Sequence, residues 1–415
     1  MIFNSSKYNS HWQDKKLSDL GSFRRGKSRH RPRNDPKLFK NGVYPLVQTG
    51  EVKQASLYLD SHHSCYNEFG LSQSEIWPKN TLCITIAANI AETALLSYPM
   101  CFPDSVVGFN AYQKESSEIF MHYVFTYIRR AIQNSASGSI QDNINIDYLT
   151  GLKFKVPLKA YQDKIVSVLS VLDYKIDLNN RINAELEAMA KTLYDYWFVQ
   201  FDFPDANGKP YKTSGGKMAY NATLKREVPV GWAVNTLSQI ANITMGQSPA
   251  GESYNEDGIG TLFFQGSTDF GWLFPTPRQY TTSPARMAKK GDILLSVRAP
   301  VGDMNIANAD CCIGRGLAAL NSKSHSDGFL FYVMKYFKQI FDRRNAEGTT
   351  FGSMTKDDLH SLQVVCPEPG LLKRYDDIVS EYNKMIFTRS LENQDLIKLR
   401  DWLLPLLMNG QVTVK

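Results

Sequence analysis

The sequence predicts an α+β protein built as a tandem duplication, in which two mixed α/β modules alternate with two long helices. The first observation is a set of residues that returns at an offset of 210 to 220 positions. Its members are Trp12, Leu17, Gly26, Asp147, Leu149 and Pro157 in one copy, and Trp232, Leu237, Gly246, Asp357, Leu359 and Pro367 in the other. The second observation is a heptad pattern that follows each copy. A repeat of this length duplicates a whole domain rather than a solenoid unit.

The mixed modules are predicted over residues 1–157 and 230–367, from short apolar runs bounded by turn-forming residues. Each module is also expected to contain one amphipathic helix. The predicted strands lie at 44–47, 82–86 and 293–297, and the predicted helices at 118–132 and 328–342. The strand at 44–47 is expected to run into a polar turn.

Each module is followed by a predicted long helix, over 158–200 and 368–415, because seam positions recur at alternating spacings of four and three. Such a seam is typical of helices that wind around each other; an ordinary amphipathic core helix is the alternative. Asn183 and Asn393 match, and a seam Asn fixes register at some cost in stability. Residues 201–229 are expected to form an ordered connector. The residues expected to pair are Leu169, Leu172, Ile176, Asn183, Leu186, Val379, Ile386, Asn393, Leu396 and Leu403.

The composition is that of a chain with substantial cores and a modest basic excess. Of its 415 residues, 43% are hydrophobic and 12% aromatic, and the formal net charge is +6. The sequence has no run of 18 apolar residues, so no membrane helix is expected. No secretory signal is expected at the N-terminus. Six cysteines without framework spacing indicate reduced thiols, so a cytoplasmic location is expected.

Positive charge is concentrated in residues 21–40, which contain eight lysines and arginines and one acidic residue, Asp35. A solvated surface is the ordinary explanation for such a run. Beside turn-forming Gly and Pro it is also the electrostatic footprint of a loop that contacts phosphates. Nucleic acid is therefore a candidate partner.

The sequence motifs predict no catalytic residue, nucleotide site or metal site. Residues 21–28 match the P-loop pattern, but Pro32 and Pro36 exclude the helix that must follow it. The second copy, at 241–248, lacks the lysine of the pattern. The His and Cys cluster at 62–65 has no paired ligands at finger-like spacing, and it is expected at a loop tip.

In this order, the features resemble those of the DNA-specificity subunit of type I restriction-modification systems. The resemblance covers essentially the whole chain and rests on the alternation of module and helix. It also rests on the module openings at Trp12 and Trp232 and on the module ends at Pro157 and Pro367. The connector sequence FDFPDANGKPYKTSGGKM is similar to that of family members as well.

The resemblance implies that each mixed module is a target-recognition domain for one half of a bipartite double-stranded DNA site. It also implies that the two helices pair antiparallel with pseudo-twofold symmetry, separate the modules and dock two methyltransferase subunits. The chain is expected to be non-catalytic and to hold no cofactor. S-adenosylmethionine, ATP and Mg²⁺ are expected in the partner subunits, which include a translocase-nuclease. The basic segment has no equivalent near Gln247–Asn255, so two different half-sites are expected.

The residues expected to contact DNA lie in turns and at strand ends of both modules. Lysines and hydroxyls mostly contact phosphates, whereas Arg, Gln and Asn also read base edges. Two other functions stay open: a self-sufficient DNA-modifying or DNA-cleaving enzyme with a degenerate site, and a non-specific nucleic-acid-binding coiled-coil scaffold. The candidate contacts are Arg24, Arg25, Lys27, Arg29, Arg31, Arg33, Gln48, Thr49, Lys53, Gln247, Gln265, Ser267, Lys289 and Arg298.

Overall fold

The contacts in the computed structural model divide the chain into two compact units. The first comprises Met1–Leu178 and Asn393–Lys415, and the second comprises Asn179–Glu392. Each unit therefore contains one mixed module and a part of both long helices. Among the described residues, which are 2–87, 89–137, 144–346 and 353–414, no helix is long and apolar enough to cross a membrane.

The first module and the first long helix contain short strands, short helices and two longer helices. The strands are β1 (Ile2–Phe3), β2 (Gln13–Lys16), β3 (Gly21–Arg25), β4 (Tyr44–Leu46), β5 (Tyr58–Leu59), β6 (Ser64–Tyr66), β7 (Ile76–Trp77), β8 (Leu82–Thr85), β9 (Thr93–Leu96), β10 (Met100–Cys101), β11 (Val106–Ala111) and β12 (Lys153–Val156). The helices are α1 (Leu17–Leu20), α2 (Thr49–Gln54), α3 (Glu68–Ser72), α4 (Glu118–Ser137), α5 (Ile146–Gly151) and the long α6 (Lys159–Tyr194).

Three sheets form the first module, with strand orders β1-β12-β2, β6-β4-β10-β7 and β3-β11-β8-β9-β5. Successive side chains of a strand point to opposite faces, and both faces of β8 are buried. Leu82 and Ile84 pack in a core that includes α4, whereas Cys83 packs with Trp77 and Phe102. The five-stranded sheet is thus the centre of the module.

The second unit repeats this plan. Its strands are β13 (Met218–Asn221), β14 (Arg226–Pro229), β15 (Ala233–Thr236), β16 (Ala241–Met245), β17 (Tyr254–Asn255), β18 (Thr261–Phe264), β19 (Gln279–Thr281), β20 (Met287–Ala288), β21 (Ile293–Ser296), β22 (Met304–Ile306), β23 (Cys311–Ile313), β24 (Leu317–Ser322) and β25 (Gln363–Cys366). Its helices are α7 (Leu237–Ile240), α8 (Asp327–Ala346), α9 (Lys356–His360) and the long α10 (Pro369–Met408), whose last part belongs to the first unit.

The strand pairings confirm the predicted duplication. In the first unit β11 lies antiparallel between β3 and β8, and in the second unit β24 lies antiparallel between β16 and β21. The second sheet of each module contains one parallel pair, β4 with β10 and β18 with β23. The predicted helices at 118–132 and 328–342 correspond to α4 and α8.

Some local predictions were wrong. The polar turn expected after residue 47 is helix α2, because the Glu51 carboxylate accepts the backbone N–H of Gln48 at 2.7 Å and so caps a first helical turn. Cys65, expected at a loop tip with His62 and His63, lies in strand β6. The connector is ordered as expected, but it contains the hairpin of β13 and β14 rather than a loop alone.

The long helices run antiparallel within each unit. As the residue number increases along α6, the number of its partner in α10, or in the residues after it, decreases. The hydrogen-bonded pairs are Tyr161 with Val414 and Asp173 with Arg400 in the first unit, and Asn179 with Glu392 and Ala190 with Tyr375 in the second. Of the residues expected to pair, Leu172, Leu396 and Leu403 are half-buried and the other seven are buried.

A buried carboxylate joins three helices of the first unit. Asp173 of α6 accepts hydrogen bonds from the Tyr123 hydroxyl of α4 at 2.6 Å and from Nη1 of Arg400 in α10 at 2.9 Å. Burial and the charge of Asp173 raise the pKa of Tyr123 far above its ordinary value, so the phenol stays a donor. This network fixes the helix pair against the first module.

We expect Asp173→Ala to lower the free energy of unfolding of the first unit by about 2 to 3 kcal/mol, since it leaves the Arg400 guanidinium and the Tyr123 hydroxyl without their acceptor. The matched control is Asp163→Ala, which removes an exposed i,i+4 pair with Lys159 and should cost no more than about 0.5 kcal/mol. Urea unfolding measures both variants. Equal losses would contradict the role given to Asp173.

Candidate nucleic-acid interface

In the first module, three segments meet beyond the ends of β3, β4 and β10. They are the part of the basic segment (residues 21–40) that follows β3, the start of α2 after β4, and the turn that joins β10 to β11. Together with neighbouring side chains they enclose a cavity of about 510 Å³. Its lining includes Ser28, Arg33, Gln48, Thr49, Tyr66 and Ser105. The structure therefore brings Arg33, Gln48 and Thr49, all predicted contacts, to one place.

The parallel pairing of β4 and β10 positions the glutamine of this site. The backbone N–H of Val47 donates to the carbonyl of Cys101 at 2.9 Å, and Val47 is fully buried. The chain then turns into α2, which leaves Gln48 exposed at the strand end. Lys53, on the last turn of α2, lines a different cavity, beside Asp173 and Arg400.

Hydrogen bonds between side chains and the backbone hold the basic segment in place. The N–H groups of Arg29 and His30 donate to Oε1 of Gln73, and the Ser74 hydroxyl donates to the carbonyl of Lys27. Nη1 of Arg31 donates to the carbonyls of Ser28 and His30 and so helps to fold the segment itself. These contacts within the chain fix the path of the segment.

Two carboxylates neutralise most of the cations predicted in this segment. The pairs are Arg24 and Lys27 with Glu75, and Arg31 and Arg33 with Asp104, with N–O distances of 2.5 to 3.4 Å. The hydrogen bond from Lys27, with that from Arg24, holds the pKa of Glu75 below its ordinary value despite partial burial. Arg25 and Arg29 are exposed and form no ion pair within the described chain. Exposed pairs contribute at most about 1 kcal/mol, so phosphates can replace these carboxylates.

The second module forms an equivalent face around Gln265, which follows β18. Its side-chain amide bonds to the Ser248 hydroxyl, with Oε1 at 3.0 Å and Nε2 at 2.9 Å. The same hydroxyl accepts the backbone N–H of Arg315 at 3.3 Å. A Cβ on Gly314 would lie 2.6 Å from Oε1 of Gln265, so the turn between β23 and β24 packs directly on this glutamine.

The other predicted contacts of the second module spread over its surface. Gln247 lies beside this turn, because its N–H donates to the carbonyl of Ile313. Arg298 follows Val297, whose N–H donates to the carbonyl of Gly316. The remaining two lie apart. Ser267 lines a separate cavity with Lys335 and Lys338. Lys289 lies near the start of β23, whereas the turn beside Gln265 follows the end of that strand.

Sequence reasoning missed three charged residues of the two faces, which are Glu75 and Asp104 in the first module and Arg315 in the second. None of the three belongs to a charge run, and the only signal for Arg315 is its place between two glycines just before β24. Within the described ranges, no group of three or more His, Cys, Asp or Glu side chains could hold a metal ion.

Two copies of one module, each with a polar face at the same strand ends, define a two-module recognition protein. The model of the family described as type I restriction modification DNA specificity domain matches residues 9–188 and 229–384. The chain belongs to this family, the type I specificity subunits, as its sequence resemblance implies.

Similar proteins agree with this assignment. A Methanocaldococcus jannaschii protein, provisionally named the MjaX type I restriction enzyme specificity subunit, is 32% identical over 296 residues. That match covers 70% of this chain and 65% of the relative, which is less than two thirds of its length. The MjaIX type I restriction enzyme specificity subunit of the same organism is 22% identical in a match that covers 97% of this chain and 94% of the length of that relative. The crystal structure of the type I restriction-modification S subunit from M. genitalium shares the fold, with a TM-score of 0.56, 16% identity and coverage of 98% and 99%.

We expect Gly314→Ala to lower the free energy of unfolding of the second module by about 1 to 3 kcal/mol, because the new methyl group overlaps the Gln265 side chain and backbone. The matched control is Gly266→Ala, where a Cβ meets no atom within 4 Å and the change should stay within about 0.5 kcal/mol. Urea unfolding compares the two. A harmless Gly314→Ala would show that the slot around Gln265 is not tightly packed.

Proposed function

We propose that this chain is the non-catalytic DNA-reading subunit of a type I restriction-modification complex. Each mixed module would read one half of a bipartite duplex site. The observation that carries the proposal is the repetition of one backbone platform, with polar groups at matching strand ends, in both modules. Gln48 and Gln265 follow equivalent strands, β4 and β18, and Ser28 and Ser248 follow β3 and β16.

Charge distinguishes the two platforms. The first has the basic segment with its exposed arginines, while residues 247–255 of the second contain no lysine or arginine. A duplex half-site is distinguished by the donors and acceptors in its major groove. Platforms with different donors and charges therefore favour two different half-sites and an asymmetric target.

The cations of the first module supply the contacts to phosphate in this proposal. Arg25 and Arg29 are exposed without a carboxylate partner in the described chain, and Arg33 lines the same cavity as Gln48 and Thr49. Phosphate contacts fix the register of the protein on the duplex, and base edges are then read by the polar groups beside them. Gln48 has the amide chemistry that pairs with adenine N6 and N7.

The long helices offer the surface for partner subunits. Val171 and Tyr174 of α6 and Trp402 of α10 are 62 to 64% exposed in the first unit, and Met189 and Met385 are exposed in the second. In this proposal these exposed side chains form the apolar part of the interface. Each unit presents the start of one helix and the end of the other, which supports two equivalent docking sites for methyltransferase subunits. Those subunits, and a translocase-nuclease, would bind S-adenosylmethionine, ATP and Mg²⁺.

The continuity of α6 supports a role in spacing. Its 36 residues begin in the first unit and end in the second, and 36 residues of α-helix rise about 54 Å. We propose that this helix, paired with α10, sets the distance between the two half-sites.

Replacing Arg29, Arg31 and Arg33 together by Ala should weaken DNA binding of the assembled complex. Each lost phosphate contact should also reduce the slope of log K against log salt by about 0.9. The control removes the same charge from the connector, with Lys209, Lys212 and Lys217 replaced by Ala; these lysines are exposed. Titrations at several salt concentrations measure both variants. Unchanged affinity and slope in the arginine variant would refute this contact assignment.

Exchange of residues 1–157 for the corresponding module of another family member should change one half of the recognised site and leave the other half as it was. Sequencing of methylated bases in a strain that carries the hybrid reads out both halves. A change in both halves would contradict the modular reading. Methyl transfer by the purified chain alone would favour a self-sufficient enzyme, and equal binding to RNA and unrelated DNA would favour a non-specific scaffold.

A further inference from the structure

The turn that precedes β11 in the first module occupies the same place as the turn that precedes β24 in the second module. The backbone N–H of Gly26 donates to the carbonyl of Val106 at 2.9 Å, and that of Gly246 donates to the carbonyl of Leu317 at 2.9 Å. Asp104 lies two residues before Val106, and Arg315 lies two residues before Leu317. The two residues therefore stand at equivalent positions in the two modules. The turn thus carries opposite charges in the two modules.

In the first module the turn supplies the anion and the segment after β3 supplies the cations. Asp104 accepts hydrogen bonds from Arg31 and Arg33. The paired Arg33 lines the cavity that also contains Gln48. A guanidinium is therefore held close to the glutamine at the end of β4.

In the second module the turn itself supplies the cation. The segment after β16 contains no basic residue up to position 255, and Arg315 lies in the turn, with its N–H on the Ser248 hydroxyl. That hydroxyl bonds the Gln265 amide. The backbone that carries an arginine is thus attached beside the glutamine at a strand end, and here the arginine comes from a different element.

The backbone on both sides of Arg315 is held in place. A Cβ on Gly314 would lie 2.6 Å from Gln265 Oε1, and one on Gly316 would lie 2.7 Å from the Gln265 carbonyl oxygen. The N–H of Gly316 also donates to that carbonyl. The Arg315 side chain, in contrast, is exposed, and its guanidinium forms no ion pair or hydrogen bond within the described chain. The backbone of Arg315 is held in place while its guanidinium is available as a donor. This arrangement suits bidentate recognition, because binding needs little further ordering of the backbone.

We infer that Arg315 is a specificity-determining residue of the second module that reads a guanine in the second half-site. Its guanidinium donates to O6 and N7 of that guanine, the acceptor pair that matches its geometry in the major groove. Gln265, with one N–H and one lone pair left beyond Ser248, contacts the neighbouring base pair. The inference rests on the proposed function, which supplies the duplex.

The experiment uses the assembled complex with Arg315→Ala, Arg315→Lys and the control Arg286→Ala, which removes an arginine of the same module that is also exposed and unpaired within the described chain. Competition binding against duplexes substituted at each position of the wild-type site gives the base preferences. Titrations against salt give the number of phosphate contacts.

We expect Arg315→Ala to lose the preference for one G·C pair of the second half-site by about 10- to 100-fold, with the first half-site unchanged. Arg315→Lys should restore affinity in part but not this preference, because an ammonium cannot form the bidentate pair. Arg286→Ala should keep all base preferences.

Two results would overturn the inference alone. In one, Arg315→Ala weakens binding to all duplexes equally and lowers the salt slope by about 0.9, which identifies a phosphate contact. In the other, it changes nothing. A wild-type complex without any bipartite site preference would refute the proposed function, and this inference with it.

Discussion

The core of each unit is closed by side chains from both long helices, and the rest of the structure depends on this constraint. In the first unit Leu169 of α6 and Leu407 of α10 pack in the core that contains α4. In the second, Ala190 of α6 and Val379 of α10 join the core under α8. A fully buried Leu or Val contributes about 1.5 to 3 kcal/mol. Folding of each module and antiparallel pairing of the helices are therefore one event within each unit.

With the cores fixed in this way, change is concentrated at the strand ends. The buried strands β8 and β21 keep the same antiparallel neighbours in both units, since a shift of one residue would turn every apolar side chain to the wrong face. The segments beyond the strands carry no such restriction. Asp104 and Arg315 show the result. They stand at equivalent backbone positions and have opposite charges, and the arginine of each platform comes from a different element.

The sequence predicted the elements whose own residues determine them. The heptads gave α6 and α10, and apolar runs gave β8 and β21, because burial repeats at the period of the element. Helix α2 was missed because it is only six residues long and the contact that caps it, Glu51 to the Gln48 N–H, leaves no mark in the apolar pattern. The partners of the basic segment, Glu75 and Asp104, could not be predicted, since they are brought near only by the fold. Arg315 was missed for the same reason.

The ion pairs of the basic segment bear on how fast a protein of this kind can search a genome. The carboxylates of Glu75 and Asp104 already form ion pairs with the cations to which phosphates would bind. In the proposed function, any duplex, right or wrong, would have to displace them, so attraction to random sequence would be weakened while base contacts at the true target would be untouched. Most encounters would then end quickly, and the time lost on the very large excess of incorrect DNA would fall.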